Sequence, residues 1–244
     1  MNESEYETMF RVEERHWWYR GLRALVREHL PRIPGTPTRV LDVGCGTGVT
    51  MAVLAPECAV SGLDYSPLAL ERCRRRGRTG LVRGDAGALP HAAASFDAVL
   101  LLDVLYHRGV SDRAGVLAEA RRVLKPHGIL ITNVPAYQWL YSSHDAAVHT
   151  AHRFTKREVR SLLRAAGFQL GSLSYWNSIL FPPAAMVRLL RRNRPGSASD
   201  LEDYKSGATG HFFGAILAIE RALMRLTPLP FGLSVFAVAK KAEE

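Results

Sequence analysis

Cysteine is scarce in this 244-residue chain: Cys45, Cys58 and Cys73 form an odd, well-separated set with no CxxC pair. That excludes a disulfide framework and a zinc knuckle, and makes a reducing compartment the expectation. Long apolar runs are missing too. No stretch reaches the ~18 uncharged apolar residues that a bilayer-spanning helix needs. Met1 to Glu7 is acidic and polar, without the basic-then-apolar order of a secretory leader. A soluble, cytoplasmic protein is therefore expected. No GxxxxGK[ST] segment occurs, which removes the phosphate-cradling P-loop. Internal repeats are absent.

What is present is an ordinary globular composition, 47% hydrophobic and 23% charged, enough to bury one sizeable domain with additions. Lys and Arg number 32 against 23 Asp and Glu, a formal charge of +9. That balance admits nucleic acid, an anionic membrane or an acidic substrate as partner and says nothing about fold.

Residues 1–30 predict a helix with Trp17, Trp18, Leu22, Leu25 and Val26 largely on one face, ended by Pro31, Pro34, Gly35 and Pro37. From residue 39, short apolar runs alternate with helical stretches, the pattern of βα units around a parallel sheet. Strands are expected at 39–43, 58–63, 80–83, 96–102 and 128–134, and helices near 47–54, 66–76 and 112–123. Ser66-Pro67 reads as a helix start and Lys125-Pro126-His127-Gly128 as a turn. A helix capped by Thr155 runs to Ala166, and a strand follows near 168–175. Beyond lie an apolar stretch at 178–192 broken by Pro182 and Pro183, and a Ser/Gly/Asp-rich loop at 193–210 expected to be mobile. An apolar helix at 211–226 and a closing strand at 233–240 complete one α/β domain.

The strongest signal is Val40-Leu41-Asp42-Val43-Gly44-Cys45-Gly46-Thr47-Gly48, an apolar strand running into a glycine-rich turn. Glycines there let the backbone bend tightly and let a ligand lie against it without a Cβ in the way. A dinucleotide fold wants a third glycine where Val49 stands, so the GxGxG spacing weakens a nicotinamide reading. Asp64 closes the second strand and is placed to accept hydrogen bonds from both hydroxyls of a ribose. Asp85 ends the third strand, where an adenine amine is in reach, and Asp103 follows the fourth at the same rim.

In order and spacing, VLDVGCGTG, GLDYS, RGDAGALP, SFDAVLLLDVLYH and RRVLKPHGILI resemble the class I S-adenosylmethionine-dependent methyltransferases over roughly residues 38–135. HWWYRGLR and HDAAVHTAHRFTKREVRSLLRAAGF resemble bacterial small-molecule members. The resemblance implies a doubly wound, mostly parallel seven-stranded Rossmann-like sheet with S-adenosylmethionine as cofactor. The pattern of elements itself divides the chain into an expected helical lid at 1–37 and a methyltransferase domain at 38–244, with a helical insertion at 176–230 read as a substrate cover. Gly44, Cys45, Gly46 and Gly48 would then line the methionine part, with Asp42 holding the loop or meeting the amino group. Asp64 would bind the ribose, Tyr65 flank the adenine, Asp85 and Ala86 meet its edge, and Leu102 and Asp103 sit beside the amino group. Tyr106 stands where the family often carries Glu, and is assigned to the substrate.

Methyl transfer is an in-line displacement, so positioning and, where the acceptor holds a proton, a base are what the site must supply. His107 and His144 are the candidate bases, with Trp18, Tyr141 and Arg153 as further substrate contacts. His144, Asp145, His149 and His152 also admit a metal reading, but their spacing matches no zinc pattern, and no metal is expected. Trp18, Tyr19 and Arg20 suit a lid over the cofactor, the rings facing the sulfonium and Arg20 its carboxylate; Trp17 reads as a docking residue. Arg72, Arg74, Arg75, Arg76 and Arg78 read as a solvated face, with nucleic-acid contact as the sharper alternative. The stretch from Trp176 to Leu190, with Arg188, Arg191, Arg192 and Arg194, reads as a pocket cover, with weak membrane-surface contact as its alternative. The expected acceptor is a small, partly hydrophobic molecule from natural-product or lipid-type biosynthesis, and the protein a monomer or homodimer. An RNA methyltransferase, an NAD-dependent oxidoreductase and a nucleotide-binding protein without catalysis are the competing readings.

Overall fold

The structure, a computed structural model, describes residues 3–191 and 208–242. Seven strands form one sheet: β1 (Thr38–Val43), β2 (Cys58–Asp64), β3 (Leu81–Arg83), β4 (Phe96–Leu102), β5 (Leu124–Pro135), β6 (Phe168–Trp176) and β7 (Ser234–Lys241). Their order is β3-β2-β1-β4-β5-β7-β6, with β7 antiparallel to β5 and β6 and the other pairings parallel. The order reverses between β1 and β4. In an open sheet of this kind, ligands gather at that reversal, beyond the carboxyl ends of the strands.

Period-two alternation sends neighbouring side chains of each strand to opposite faces. Val40, Ala98, Leu100, Ile131 and Phe236 pack on one side, beneath the helix α2 (Trp17–His29). Leu41, Val99, Leu101, Leu130 and Ala237 pack on the other. There they meet α5 (Arg113–Val123) and α7 (Lys156–Ala165) through Val116, Leu117, Val159 and Leu163. Both faces are covered, so the strands read as continuous apolar runs.

The expected single N-terminal helix is two: α1 (Glu3–Val12) and α2. The chain breaks because His16 turns extended and its Nδ1 accepts the Trp18 amide at 3.2 Å, capping α2. α3 (Val49–Leu54) follows the glycine turn, and α4 (Pro67–Arg75) starts at the Ser66 cap as expected. Lys125–Gly128 is not a separate turn. It is absorbed into β5 as an irregularity between the pairs Phe96–Leu124 and Ala98–Ile129, with His127 left-handed. A short 3₁₀ turn (Gln138–Leu140) and α6 (Ser143–Ala147) occupy a region given no element from sequence. Pro182 and Pro183 do not break a helix. They lie in the first turn of α8 (Phe181–Arg191), where a missing N–H costs nothing. α9 (Ala208–Met224) starts three residues before the expected 211, so 208–210 of the loop expected at 193–210 are helical, and 193–207, with Arg192 and Arg194, lie outside the described residues.

Two pieces far apart in sequence form one cover. α9 packs along α2 at Gly21, where a Cβ would stand 2.5 Å from Leu217 Cδ1. Trp17 meets Phe213 at 5.2 Å between ring centroids, and Arg221 pairs with Glu28. α1 is pinned differently. Arg72 pairs with Glu7, and Arg76 pairs with Glu13 and Glu14, donates to the Phe10 carbonyl and lies over the Phe10 ring. So the arginine run is no plain solvated face: Arg72 and Arg76 fasten α1 to α4.

Removing Arg76 leaves Glu13 buried without its main counter-charge. Arg76→Ala is expected to cost about 2–4 kcal/mol in urea unfolding and to speed proteolysis between α1 and α2. An unchanged midpoint and cleavage rate would show that α1 is held otherwise.

Candidate active site

The glycine turn is seated on the end of β2. Gly44 and Cys45 donate to the Leu63 carbonyl at 2.7 and 3.0 Å, and Gly46 donates to Asp64 Oδ2 at 2.9 Å. Asp64 Oδ1 takes the Ser66 amide at 2.8 Å. Gly44, Gly46 and Gly48 have φ of +75°, +56° and +83°, a region other residues enter at a cost. The loop is thus braced by Asp64, a role the sequence reading had offered as one of two alternatives for Asp42.

Beside the turn opens a cavity of about 1400 Å³. Pockets for one small ligand run to roughly 1,000 Å³, so there is room for two. Of the expected cofactor residues, Asp42, Gly44, Cys45, Gly46, Asp64 and Tyr65 line it, as do Asp85, Ala86, Leu102, Asp103 and Tyr19. Tyr65 sits at the rim, 72% exposed. Two residues fall outside the lining. Gly48 caps α3 against α4, where a Cβ would come 2.8 Å from Cys73 Sγ. Arg20 is exposed, while Arg23, four residues after Tyr19 and so on its helical face, lines the cavity. Arg23 is buried, and its Nη2 donates to the Glu13 and Glu14 carbonyls at 3.0 and 3.3 Å.

Carboxylates dominate the polar end. Burial, with the nearby Asp64 charge, pushes Asp42 up to about 7, and burial raises Asp103 to about 7 against a hydrogen bond from Asn133. Glu13 rises to about 7 by burial, opposed by Arg76 and Arg23. Asp103 is left-handed (φ +59°), a strained backbone that its neighbours enforce. Its amide donates to the Asn133 carbonyl at 2.9 Å, and Asn133 Nδ2 donates to Asp103 Oδ1 at 2.9 Å. Trp176 Nε1 in turn donates to Asn133 Oδ1 at 2.6 Å, and Trp18 stacks on Trp176 at 5.6 Å. Trp18 therefore both lines the cavity and packs on the core.

At the other end, Tyr106, His107, His144 and Arg153 line the wall. Burial, with Asp103, Tyr19 and Asp145 close by, raises the Tyr106 phenol well above its ordinary value, so it stays protonated. His107 Nδ1 accepts the Gly109 amide at 3.0 Å, and burial with the neighbouring His149 and Arg108 lowers its ring to about 4. A ring so weakly basic suits hydrogen bonding better than proton uptake at neutral pH. Arg153 is buried and committed: it pairs with Asp145 at 2.7 Å and donates to the Ala136 and Tyr137 carbonyls. Tyr141 lies off the lining, its hydroxyl donating to the Thr150 carbonyl at 3.2 Å. The histidine group disperses as well. α6 ends at Ala147, His149 is left-handed and His152 pairs with Glu158 at 3.1 Å.

The sequence reading missed Tyr6, Met9 and Glu13 of the N-terminal segment and Arg23; it had read 176–190 as a pocket cover without singling out Leu180, Ala184 and Val187, which line the cavity with Phe213. Charge complementarity between the acids of 7–14 and the arginines of 72–76 was the one visible signal, and it names no pairs.

A family model described as a methyltransferase domain matches residues 41–132. Demethylmenaquinone methyltransferase of Tropheryma whipplei is 44% identical over 184 residues, 62% of this chain and 74% of that protein. Malonyl-[acyl-carrier protein] O-methyltransferase of Geobacter sulfurreducens is 32% identical over 184 residues, 67% of this chain and 68% of that one. An S-adenosylmethionine-dependent methyltransferase structure from Thermotoga maritima superposes with a TM-score of 0.64 at 23% identity, covering 98% of this chain and 95% of that one. A Mycolicibacterium smegmatis relative is 29% identical over 163 residues, 65% of this chain, and the chain spans 62% of its length. The chain belongs to the class I S-adenosylmethionine-dependent methyltransferase family. Acid-tipped strands, a braced glycine turn and a volume larger than one ligand fit that cofactor.

A cation placed against Asp103 favours its ionised form, so binding draws a proton off a carboxyl poised near 7. S-adenosylhomocysteine, which carries an ammonium, is expected to bind about tenfold more tightly at pH 8 than at pH 6. Asp103→Asn should lose most of that slope in calorimetric titrations. A flat profile in the unaltered protein would place the ammonium elsewhere.

Proposed function

We propose that the protein transfers a methyl group from S-adenosylmethionine to a small, partly hydrophobic acceptor. The observation that carries this reading is the two-sided chemistry of one cavity. Asp42, Asp64 and Asp103 line its strand-tip end, while Leu180, Ala184, Val187 and Phe213 line the part under α8 and α9. When bound, S-adenosylmethionine supplies a methyl group on a positively charged sulfur.

Asp64 already brings one lone pair of each oxygen to the Gly46 and Ser66 amides, and its remaining lone pairs suit the ribose hydroxyls. Asp85 and Ala86 flank the adenine edge. Asp103, steadied by Asn133, takes the ammonium, and Arg23 takes the carboxylate, the part first assigned to Arg20. Trp18 and Tyr19 close over this end. Tyr106 stays a phenol at neutral pH and orients the acceptor by donating a hydrogen bond. His144, on α6, is the proposed proton acceptor, and Arg153 serves by holding Asp145 and the loop rather than by touching the acceptor. Proximity does the rest: a donor and acceptor held in line within one cavity need little further chemistry.

The names of two relatives, one acting on demethylmenaquinone and one on a malonyl-acyl-carrier protein, support an acceptor that is apolar or carrier-linked. An RNA substrate is less well supported, because Arg72 and Arg76 are engaged in fastening α1.

Two experiments test the reading. Asp64→Ala is expected to weaken S-adenosylhomocysteine binding by about 30-fold or more, the loss of hydrogen bonds to a charged group. With donor labelled in its methyl group, label should pass to apolar phenols, quinols or carboxylic acids, and Tyr106→Phe should lower kcat/KM about tenfold or more. Label passing instead to RNA, or full affinity in Asp64→Ala, would overturn the assignment.

A further inference from the structure

Asn133 is wholly buried near the end of β5, and its carboxamide joins two different partners. Trp176 Nε1 donates to its Oδ1 at 2.6 Å, and its Nδ2 donates to Asp103 Oδ1 at 2.9 Å. The oxygen and nitrogen ends of such an amide are nearly alike in shape, so its partners decide which way it points. An indole N–H can only donate. Trp176 therefore claims the oxygen, and the nitrogen is left facing Asp103. An amide held in that sense offers Asp103 an N–H and no lone pair, which favours the ionised carboxyl over the neutral acid.

Trp176 is itself enclosed. It is buried at the end of β6, and Trp18 stacks on it with ring centroids 5.6 Å apart and planes at 30°. Its Cζ3 lies 3.5 Å from where a Cβ on Gly21 of α2 would stand. Gly232 passes so near that a Cβ there would come 2.4 Å from the Trp176 carbonyl oxygen. A ring so surrounded has no room to aim its N–H elsewhere. The other groups around Asp103 do not set the sense of the amide. Tyr106 stays protonated partly because Asp103 is near, and Tyr19 of α2 stands close to Tyr106. Asp42 at the tip of β1 and Arg23 of α2 line the same cavity. Asp42 and Asp103 are both raised to about 7, so the two acids titrate in one range.

We propose that Trp176 is a positioning residue for the methyl donor: by fixing the sense of the Asn133 amide, it keeps Asp103 in the form that takes the donor's ammonium. Trp176 does this from outside the cavity lining, two hydrogen bonds away from Asp103. Without the indole N–H, Asn133 Oδ1 is a buried acceptor with no donor, which is costly. Turning the amide over relieves that cost by setting Oδ1 against Asp103, whose carboxyl must then keep its proton to make the bond. The ammonium would meet a neutral acid. This role rests on the assignment of Asp103 to the ammonium proposed above.

The test is calorimetric titration of the full chain with S-adenosylhomocysteine between about pH 6 and pH 9, with Trp176→Phe compared to the unaltered protein at each pH. Taking the ratio cancels the ligand's own ionisation. Trp176→Phe should move the rise in affinity about one pH unit upward, a loss of about fivefold at pH 7 that vanishes near pH 9. Adding Asp103→Asn to either protein should remove that difference, since only the Asp42 share of the profile then remains. An unmoved profile would overturn the proposal, and so would a loss equal at every pH, which would make Trp176 a packing residue alone. A profile already flat in the unaltered protein would overturn the assignment of Asp103 and this role with it, so the two failures are told apart. A second readout needs no change at Trp176, the only buried one of the four tryptophans. With isotope-labelled tryptophan, its slowly exchanging indole signal should shift as Asp103 titrates near pH 7 and stand still in Asp103→Asn. An indole signal indifferent to pH in the unaltered protein would also overturn the proposal.

Discussion

One carboxylate ties the site together. Asp64 accepts the Gly46 amide through one oxygen and the Ser66 amide through the other, joining the turn after β1 to the start of α4. Hydrogen bonds to a charged group contribute about 1.5–3 kcal/mol each. They offset the cost of three left-handed positions in five residues, which glycine alone keeps low. The rest of the chamber is hung from this corner: α4 carries the arginines that hold α1, and α1 brings Tyr6 and Met9 over the same turn.

A second line of contacts ties the cover to the opposite rim. Trp18 lies on Trp176, Trp176 donates to Asn133, and Asn133 fixes both the amide and the side chain of Asp103. β4, β5, β6 and α2 thereby meet at one carboxyl group. Such a network is costly to leave half-satisfied, so the position of α2 and the strained backbone at Asp103 are parts of one arrangement. α9 adds the outer wall by packing on α2 at Gly21, which makes the insertion and the N-terminal helix a single cover.

Much of the fold was legible because its signals are local. The short apolar runs of the strands, the GxGxG turn and the Ser66-Pro67 helix start each depend on a few adjacent residues, and all three were found where the sequence put them. What failed to show was phase and partnership. A helix assumed to run unbroken through 13–16 hides the cap at His16, and Arg20 was chosen where the cavity takes Arg23, the residue in register with Tyr19. Arg72 and Arg76 read as solvated because their partners stand some sixty residues away in the chain. Arg153 read as a substrate contact although its partner, Asp145, stands only eight residues earlier, because spacing alone does not show that the two fold into one buried pair. The wall from α8 and α9 carries no motif at all, since apolar lining is set by shape and not by residue type.

The most direct measurement is calorimetric titration of the unaltered protein with S-adenosylhomocysteine and, separately, with NAD. Saturable binding of one S-adenosylhomocysteine per chain, with no heat of binding from NAD, is the expected result. Preferential binding of NAD, or no binding of S-adenosylhomocysteine at saturating concentration, would contradict the assignment of the glycine turn and Asp64 to a methyl donor.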